Sequence, residues 1–151
     1  MEAIINKKAK FNYFLEEKFE TGIVLQGWEI KPILSRKANL DNSYINIKDG
    51  ELFLFNMLVS PLISTGTHII PESSRSRKLL MKKNEIMSLI GKIERRGYTL
   101  IPTKVYRNKG KIKVEIALAK GKHSYDKRAD EKDKDWKMEQ NKLMKHSIKN
   151  S

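Results

Sequence analysis

Three cations fall within four residues at Arg75, Arg77 and Lys78, and Lys111 and Lys113 alternate along a later apolar-rich run. Guanidinium and ammonium groups at this density suit phosphate: arginine offers a planar fork of donors and lysine a mobile point charge. Groups capable of covalent chemistry lack any comparable arrangement. There is no Cys, and the three histidines, His68, His123 and His146, lie far apart. A thiolate nucleophile, a Cys–His pair and a compact metal-ligand set are therefore all missing from the sequence pattern, as is a Gly-rich phosphate loop. The expectation is a binding protein for a polyanion, with no enzymatic activity, no metal and no cofactor.

Composition narrows the partner. The 151 residues include 31 Lys and Arg against 18 Asp and Glu, a net charge of +13, and 39% are apolar, enough for one modest core and an appendage. Nucleic acid is the simplest partner for such a surface. A membrane surface would call for a basic amphipathic helix with a broad apolar face, which the sequence does not offer. The absence of Cys argues against a disulfide-stapled secreted module. Met1 to Lys8 has no apolar run of the signal-peptide kind and no stretch approaches a membrane span, so the expected location is the cytoplasm.

The elements that must carry these groups follow from periodicity. Phe11, Tyr13 and Leu15, then Phe19, Thr21, Ile23 and Leu25, alternate as in strands with one buried face, which predicts a long or bulged strand over 9–26. Asn6 alternatively caps a helix carrying Phe11, Phe14 and Leu15. Trp28 to Ser35 admits a short helix that Pro32 confines to an early turn. Residues 43–48 and 51–59 form a hairpin around Asp49-Gly50. Residues 60–76 hold Pro61 and Pro71 and read as a long surface loop ending in the basic cluster. A helix follows on Leu79, Leu80, Ile86, Leu89, Ile90 and Ile93, with Gly97 as its stop, so the cluster lies at a loop-to-helix junction where helix N–H groups also face phosphate. Two further strands, 98–106 and 111–119, are joined through Asn108-Lys109-Gly110. In the second, Ile112, Val114, Ile116 and Leu118 share one face while Lys111, Lys113 and Glu115 share the other. The whole predicts a mainly β fold with inserted helices, a small closed or partly open antiparallel β-barrel over 1–120.

Residues 121–151 read differently. From Ala129 to Lys145 acidic and basic residues alternate around only Trp136, Met138, Leu143 and Met144, too little apolar surface to order the segment alone. Asp130 precedes Lys134 and Asp133 precedes Lys137 at helical spacing, and Trp136 and Leu143 share a face. The reading is a C-terminal tail, disordered alone or helical when bound; an ordinary solvated tail fits the same composition.

Several runs together resemble the small protein B family, the SsrA-binding proteins of bacteria. They are Asn6-Lys7-Lys8-Ala9, the stretch from Phe19 to Lys31, Lys37-Ala38-Asn39-Leu40, Asp49-Gly50-Glu51, Arg77-Lys78-Leu79-Leu80, Arg96-Gly97-Tyr98-Thr99, Ala119-Lys120-Gly121-Lys122 and Tyr125-Asp126-Lys127-Arg128. They occur in order from Asn6 to about Lys145. The resemblance implies an oligonucleotide-binding-like (OB-fold-like) barrel that binds the tRNA-like domain of transfer-messenger RNA, the SsrA RNA. With elongation factor Tu and GTP, such a protein brings the alanine-charged RNA, a product of alanyl-tRNA synthetase, to stalled ribosomes. The tail enters the decoding centre of the small subunit and the empty messenger channel, permitting peptide tagging and ribosome rescue by trans-translation.

The resemblance also implies roles for residues. Glu20, Leu80 and Lys113 match positions that hold the RNA; by charge alone Lys7, Lys8, Arg75, Arg77 and Lys78 are further RNA-binding candidates, and a solvated charge cluster fits Arg75, Arg77 and Lys78 equally. Taken alone, Lys113 equally suits a solubilising strand lysine, Glu20 a surface ion pair, and Leu80 the apolar side of the helix. Tyr13, Trp28, Phe53 and Phe55 can stack on bases, though core packing explains most of them. Lys122, Tyr125, Asp126, Lys127 and Arg128 match the decoding-centre segment, where Tyr125 stands in place of a frequent His. Trp136, Leu143 and Met144 match the tail helix tied to accommodation. Phe11 stands where some relatives have His and Leu34 where they have Arg, which puts polar contacts there in doubt. Two other classes fit the charge: a general single-strand RNA-binding barrel, and a structural protein of the ribosome.

Overall fold

The computed structural model describes residues 1–62, 73–123 and Arg128. The chain forms two compact units, Met1–Lys120 and Gly121–Ser151. The first begins with a short strand β1 (Ile4–Ile5), a helical turn and a half α1 (Lys7–Asn12) and the long strand β2 (Tyr13–Ile23). Helix α2 (Gly27–Leu34) is followed by β3 (Ala38–Asn39), β4 (Tyr44–Lys48), β5 (Glu51–Phe55), β6 (Leu58–Val59) and β7 (Arg77–Leu80). Helix α3 (Lys83–Arg96) and the long hairpin of β8 (Thr99–Asn108) and β9 (Lys111–Gly121) complete it.

Seven strands form one sheet in the order β1-β8-β9-β2-β7-β5-β4, and β3 pairs with β6 separately. The ladders β1–β8, β8–β9, β2–β7, β7–β5, β5–β4 and β3–β6 are antiparallel. Because β4, last in the order, packs against β8, the sheet curls back on itself. The mainly β architecture with inserted helices is the one periodicity predicts.

Both hairpins are closed by residues with the required dihedrals. Asp49 and Gly50 adopt φ of 53° and 73°, and Lys109 and Gly110 adopt 52° and 77°, the positive φ at both central positions that a tight hairpin turn needs to match strand twist. The β8–β9 ladder shifts register between Pro102 and Lys104. Pro102 has no N–H to give the ladder, and the irregularity accommodates it. The freed groups bind elsewhere: Asn6 N–H reaches Thr103 O at 2.8 Å and Asn6 Nδ2 reaches Pro102 O at 2.7 Å.

Alternation puts one side of each strand inward. Leu52, Leu54, Leu79, Val114, Ile116 and Leu118 meet Ile33, Leu40, Met57 and Val59 in one buried cluster, and Ile86 and Leu89 of α3 cover it. Gly97, at φ 69°, ends α3 in the left-handed conformation.

Four local expectations are corrected. Ala9 to Asn12 belong to α1, not to the strand; Asn6 precedes that helix, yet its side chain is spent on Pro102 rather than on a cap. Pro32 lies inside α2, beyond its first turn. Arg77 to Leu80 form a strand, and the helix starts only at Lys83, because these four residues pair with β5 on one side and β2 on the other. Leu80 accordingly faces outward, 50% exposed, and not along a helix.

Among the described residues, no helix is long and apolar enough to cross a membrane, and no group of His, Asp and Glu is placed to hold a metal.

Candidate nucleic-acid interface

The order β9-β2-β7 sets Lys113, Glu20 and Leu80 on three neighbouring strands. Thr21 is buried and sends its hydroxyl to Val114 O, 2.9 Å away, so its neighbours Glu20 and Gly22 face outward. Gly22 is the register partner of Leu80. A Cβ at Gly22 would lie 3.2 Å from Leu80 Cβ, so the bare glycine gives the leucine its place on the surface.

Beside this row opens a cleft of about 620 Å³. Gly22, Ile23, Leu25, Ile30, Leu34, Leu80 and Ile112 form its apolar wall, and Arg107, Lys111 and Lys113 bring cations to it. Leu34 thus contributes apolar surface. An apolar wall beside three cations suits a nucleotide, base against the leucines and phosphate toward the rim.

Glu20 is held by groups from β8, across β9. Tyr106 donates its hydroxyl to Glu20 Oε2 at 2.6 Å, and Asn108 Nδ2 lies 3.2 Å from the same oxygen. The Tyr106 hydrogen bond, then Asn108 and the charges of Lys113 and Lys109, hold the Glu20 carboxyl below its usual range despite an opposing desolvation contribution. Burial, and then the carboxylate itself, push the Tyr106 phenol upward. Lys104 covers the Tyr106 ring at 5.0 Å from its centroid. The carboxylate is thus ionised, oriented and flanked by cations. Among the described residues Oε1 keeps only a 3.4 Å contact with Asn108, which leaves it acceptor capacity. No local pattern marks Tyr106 or Asn108 for this role, since both lie over 80 residues from Glu20.

The basic cluster divides. Arg77 is fully buried: Nε donates to Glu29 Oε2, and Nη1 and Nη2 reach Met57 O at 2.7 Å and Ser73 O at 3.3 Å. Arg75 donates to the other Glu29 oxygen, which also accepts from Gln26 N–H at 2.6 Å. Burial alone would raise the Glu29 carboxyl, but the bonds from Arg75, Gln26 and Arg77 outweigh it and leave the group below its usual range. Arg77 is therefore a structural cation with its donors spent inside, a correction to its reading as a phosphate contact; Arg75 is largely engaged with it. Lys78 faces outward, paired with Glu51 at 3.0 Å. Lys7 and Lys8 are exposed on α1, and Lys8 Nζ lies 3.3 Å from Asn42 Oδ1. Lys122 is half-buried and Arg128 exposed. Tyr125, Asp126, Lys127, Trp136, Leu143 and Met144 lie outside the described residues.

The family model for SmpB protein matches residues 3–146. The chain belongs to the SmpB family. It is 50% identical over 143 residues to the SsrA-binding protein of Methylibium petroleiphilum, covering 95% of this chain and 92% of that one. The SsrA-binding protein of Leptothrix cholodnii is 53% identical over 143 residues, covering 95% and 93%, and that of Bordetella avium 48% over 149 residues, covering 99% and 97%. A chain of the solved structure described as "tmRNA-SmpB: a journey to the center of the bacterial ribosome" superimposes with a TM-score of 0.66 at 37% identity, covering 81% of this chain and 85% of that one.

Proposed function

We propose that this SmpB-family chain is a non-catalytic factor that binds the tRNA-like domain of transfer-messenger RNA and supports rescue of stalled ribosomes. The observation that carries the reading is the row of Glu20, Leu80 and Lys113 on three adjacent strands, beside a cleft with an apolar wall and a cationic rim. Lys113 meets a phosphate, Leu80 packs against a base or ribose, and the Tyr106-oriented Glu20 accepts a hydrogen bond from a base edge. Lys7, Lys8 and Lys78 add mobile charge around the row, which raises affinity without reading sequence.

On this reading the barrel recognises a folded RNA by shape, delivered as the alanine-charged species with elongation factor Tu and GTP. The tail, with Lys122, Tyr125, Asp126, Lys127 and Arg128 at the decoding centre and Trp136, Leu143 and Met144 on a helix formed in the empty messenger channel, reports that the channel is vacant. Coupling the two confines peptide tagging to stalled ribosomes.

Deletion of residues 126–151 separates the two halves. The truncated protein should bind the tRNA-like fragment as the full chain does and fail to support tagging of stalled products in a reconstituted translation system. Tagging by the truncated protein would refute the role given to the tail.

A further inference from the structure

The outward face of the β4–β5 hairpin carries an aromatic pair that the row above does not use. Tyr44 and Phe55 oppose each other across the ladder, with ring centroids 5.2 Å apart and planes 11° apart. Their neighbours Ile45 and Leu54 are buried, so the two rings stand on the outer side of the sheet, and Tyr44 remains 45% exposed. Two near-parallel rings left open to solvent resemble the aromatic platforms on which bases stack, since every base has a π face.

The surroundings select an anionic occupant. Lys8 reaches Asn42, two residues before Tyr44, and Lys7 is exposed next to it. On the other side of the pair, Phe53, two residues before Phe55, shares the outer face and is in register with Lys78, which pairs with Glu51. Lys78 lies in turn two residues before Leu80, so the platform is continuous with the proposed RNA row along one outer surface. A base laid on Tyr44 would have Lys7 and Lys8 on one flank for its phosphates, with the Lys78–Glu51 pair on the other.

We propose that the Tyr44–Phe55 stack is a second RNA contact, taking an unpaired nucleotide by stacking while Lys7 and Lys8 neutralise its backbone. The inference rests on the chain being an RNA-binding factor. The nucleotide belongs to the same RNA that the Glu20, Leu80 and Lys113 row binds, because platform and row lie along one outer surface; ribosomal RNA of the small subunit is the rival outcome of the test.

The test uses the full chain carrying Tyr44→Val or Tyr44→Trp, with the tRNA-like fragment and empty small ribosomal subunits as separate probes at one salt concentration. Valine keeps strand preference and removes the ring; its expected effect is a loss of about 5- to 100-fold in affinity for the tRNA-like fragment, the size seen for a stacked base, with a thermal midpoint within about 4 °C of the parent. Tryptophan keeps the platform, so affinity should hold, and the emission added over Trp28 and Trp136 should be quenched by that fragment. A response confined to the small subunits would assign the stack to ribosomal RNA and contradict the proposal. Unchanged affinity of Tyr44→Val for both probes, or added tryptophan emission that neither quenches, would reduce the pair to hairpin packing and overturn the proposal. If the parent chain bound neither RNA, the RNA-binding reading itself would fall and this one with it.

Discussion

Glu20 and Tyr106 are 86 residues apart in sequence and 2.6 Å apart in space, the phenol donating to the carboxylate over the intervening strand β9. The bond fixes an acceptor among cations on the surface where RNA is proposed to lie. Tyr106→Phe keeps the ring and removes the donor. Glu20 should then titrate closer to its ordinary value of 4.5, which an NMR titration reads directly. The sign follows from linkage: a depressed carboxyl favours the folded state above its unfolded value and loses that contribution as pH falls through the folded one. The variant should therefore show a weaker loss of stability in the acid range below pH 4.5. Affinity for the tRNA-like fragment should fall about 3- to 10-fold, the worth of one hydrogen bond. An unaltered affinity would mean that the orientation of Glu20 is not used.

Gly22 and Leu80 make a second pair whose roles separate stability from binding. Leu80 is half exposed, so Leu80→Ala should change folding stability by no more than about 0.5 kcal/mol while weakening RNA binding. Gly22→Ala inserts a methyl 3.2 Å from Leu80 Cβ. Leu80 Cβ moves only with the β7 backbone, so the two strands must shift by a few tenths of an ångström; the variant should fold with a loss of about 1–3 kcal/mol and bind RNA as poorly as Leu80→Ala. Urea unfolding beside fragment binding checks both; parent-like binding by Gly22→Ala would show that the placement of Leu80 is not critical.

Arg77 and Glu29 should behave as a buried pair. Arg77→Met strips one partner from a carboxylate that Arg75 and Gln26 hold only in part, and should cost about 3–5 kcal/mol in urea unfolding. The double variant Glu29→Leu with Arg77→Met should be less destabilised than Arg77→Met alone, because the fully buried carboxylate and guanidinium leave together and only the partly exposed Arg75 loses its partner. Glu29 lies below its ordinary value of 4.5, so the parent should lose stability as pH falls below that value through the depressed one, and the double variant should lose less. If Arg77→Met instead left stability intact and lowered the salt dependence of RNA binding, Arg77 would be a phosphate contact after all.

The parts of this fold legible in the sequence are those written locally. Asp49-Gly50 and Lys109-Gly110 carry the chemistry of positive φ at the turns, the first half of β9 alternates between Lys113 and Val114 sides before both faces become buried from Ile116 to Ala119, and Gly97 ends α3 as a left-handed cap. The misread segments were decided by distant partners. Leu79 and Leu80 continue the helical spacing of Ile86 and Ile93, yet the ladders to β5 and β2 take them as a strand. Nothing near Arg77 announces that Glu29, 48 residues earlier, will bury it. Six residues of α1 are too few for a helical period to outweigh the alternation of Phe11, Tyr13 and Leu15. For the site, Lys113 was visible as the outward residue of a clear strand, whereas the Tyr106 support of Glu20 exists only once β8, β9 and β2 are side by side.

The central claim, recognition of a folded RNA by the Glu20, Leu80 and Lys113 surface, is tested most directly by comparing affinity for the tRNA-like fragment with that for an unstructured RNA of equal length, at low and high salt, in the parent and in Lys113→Ala. The account predicts that the parent prefers the folded fragment at both salts. Lys113→Ala should weaken fragment binding and reduce the salt slope by about one phosphate contact. Equal binding of the two RNAs that collapses together as salt rises, with Lys113→Ala indistinguishable from the parent, would contradict it and leave only a basic barrel.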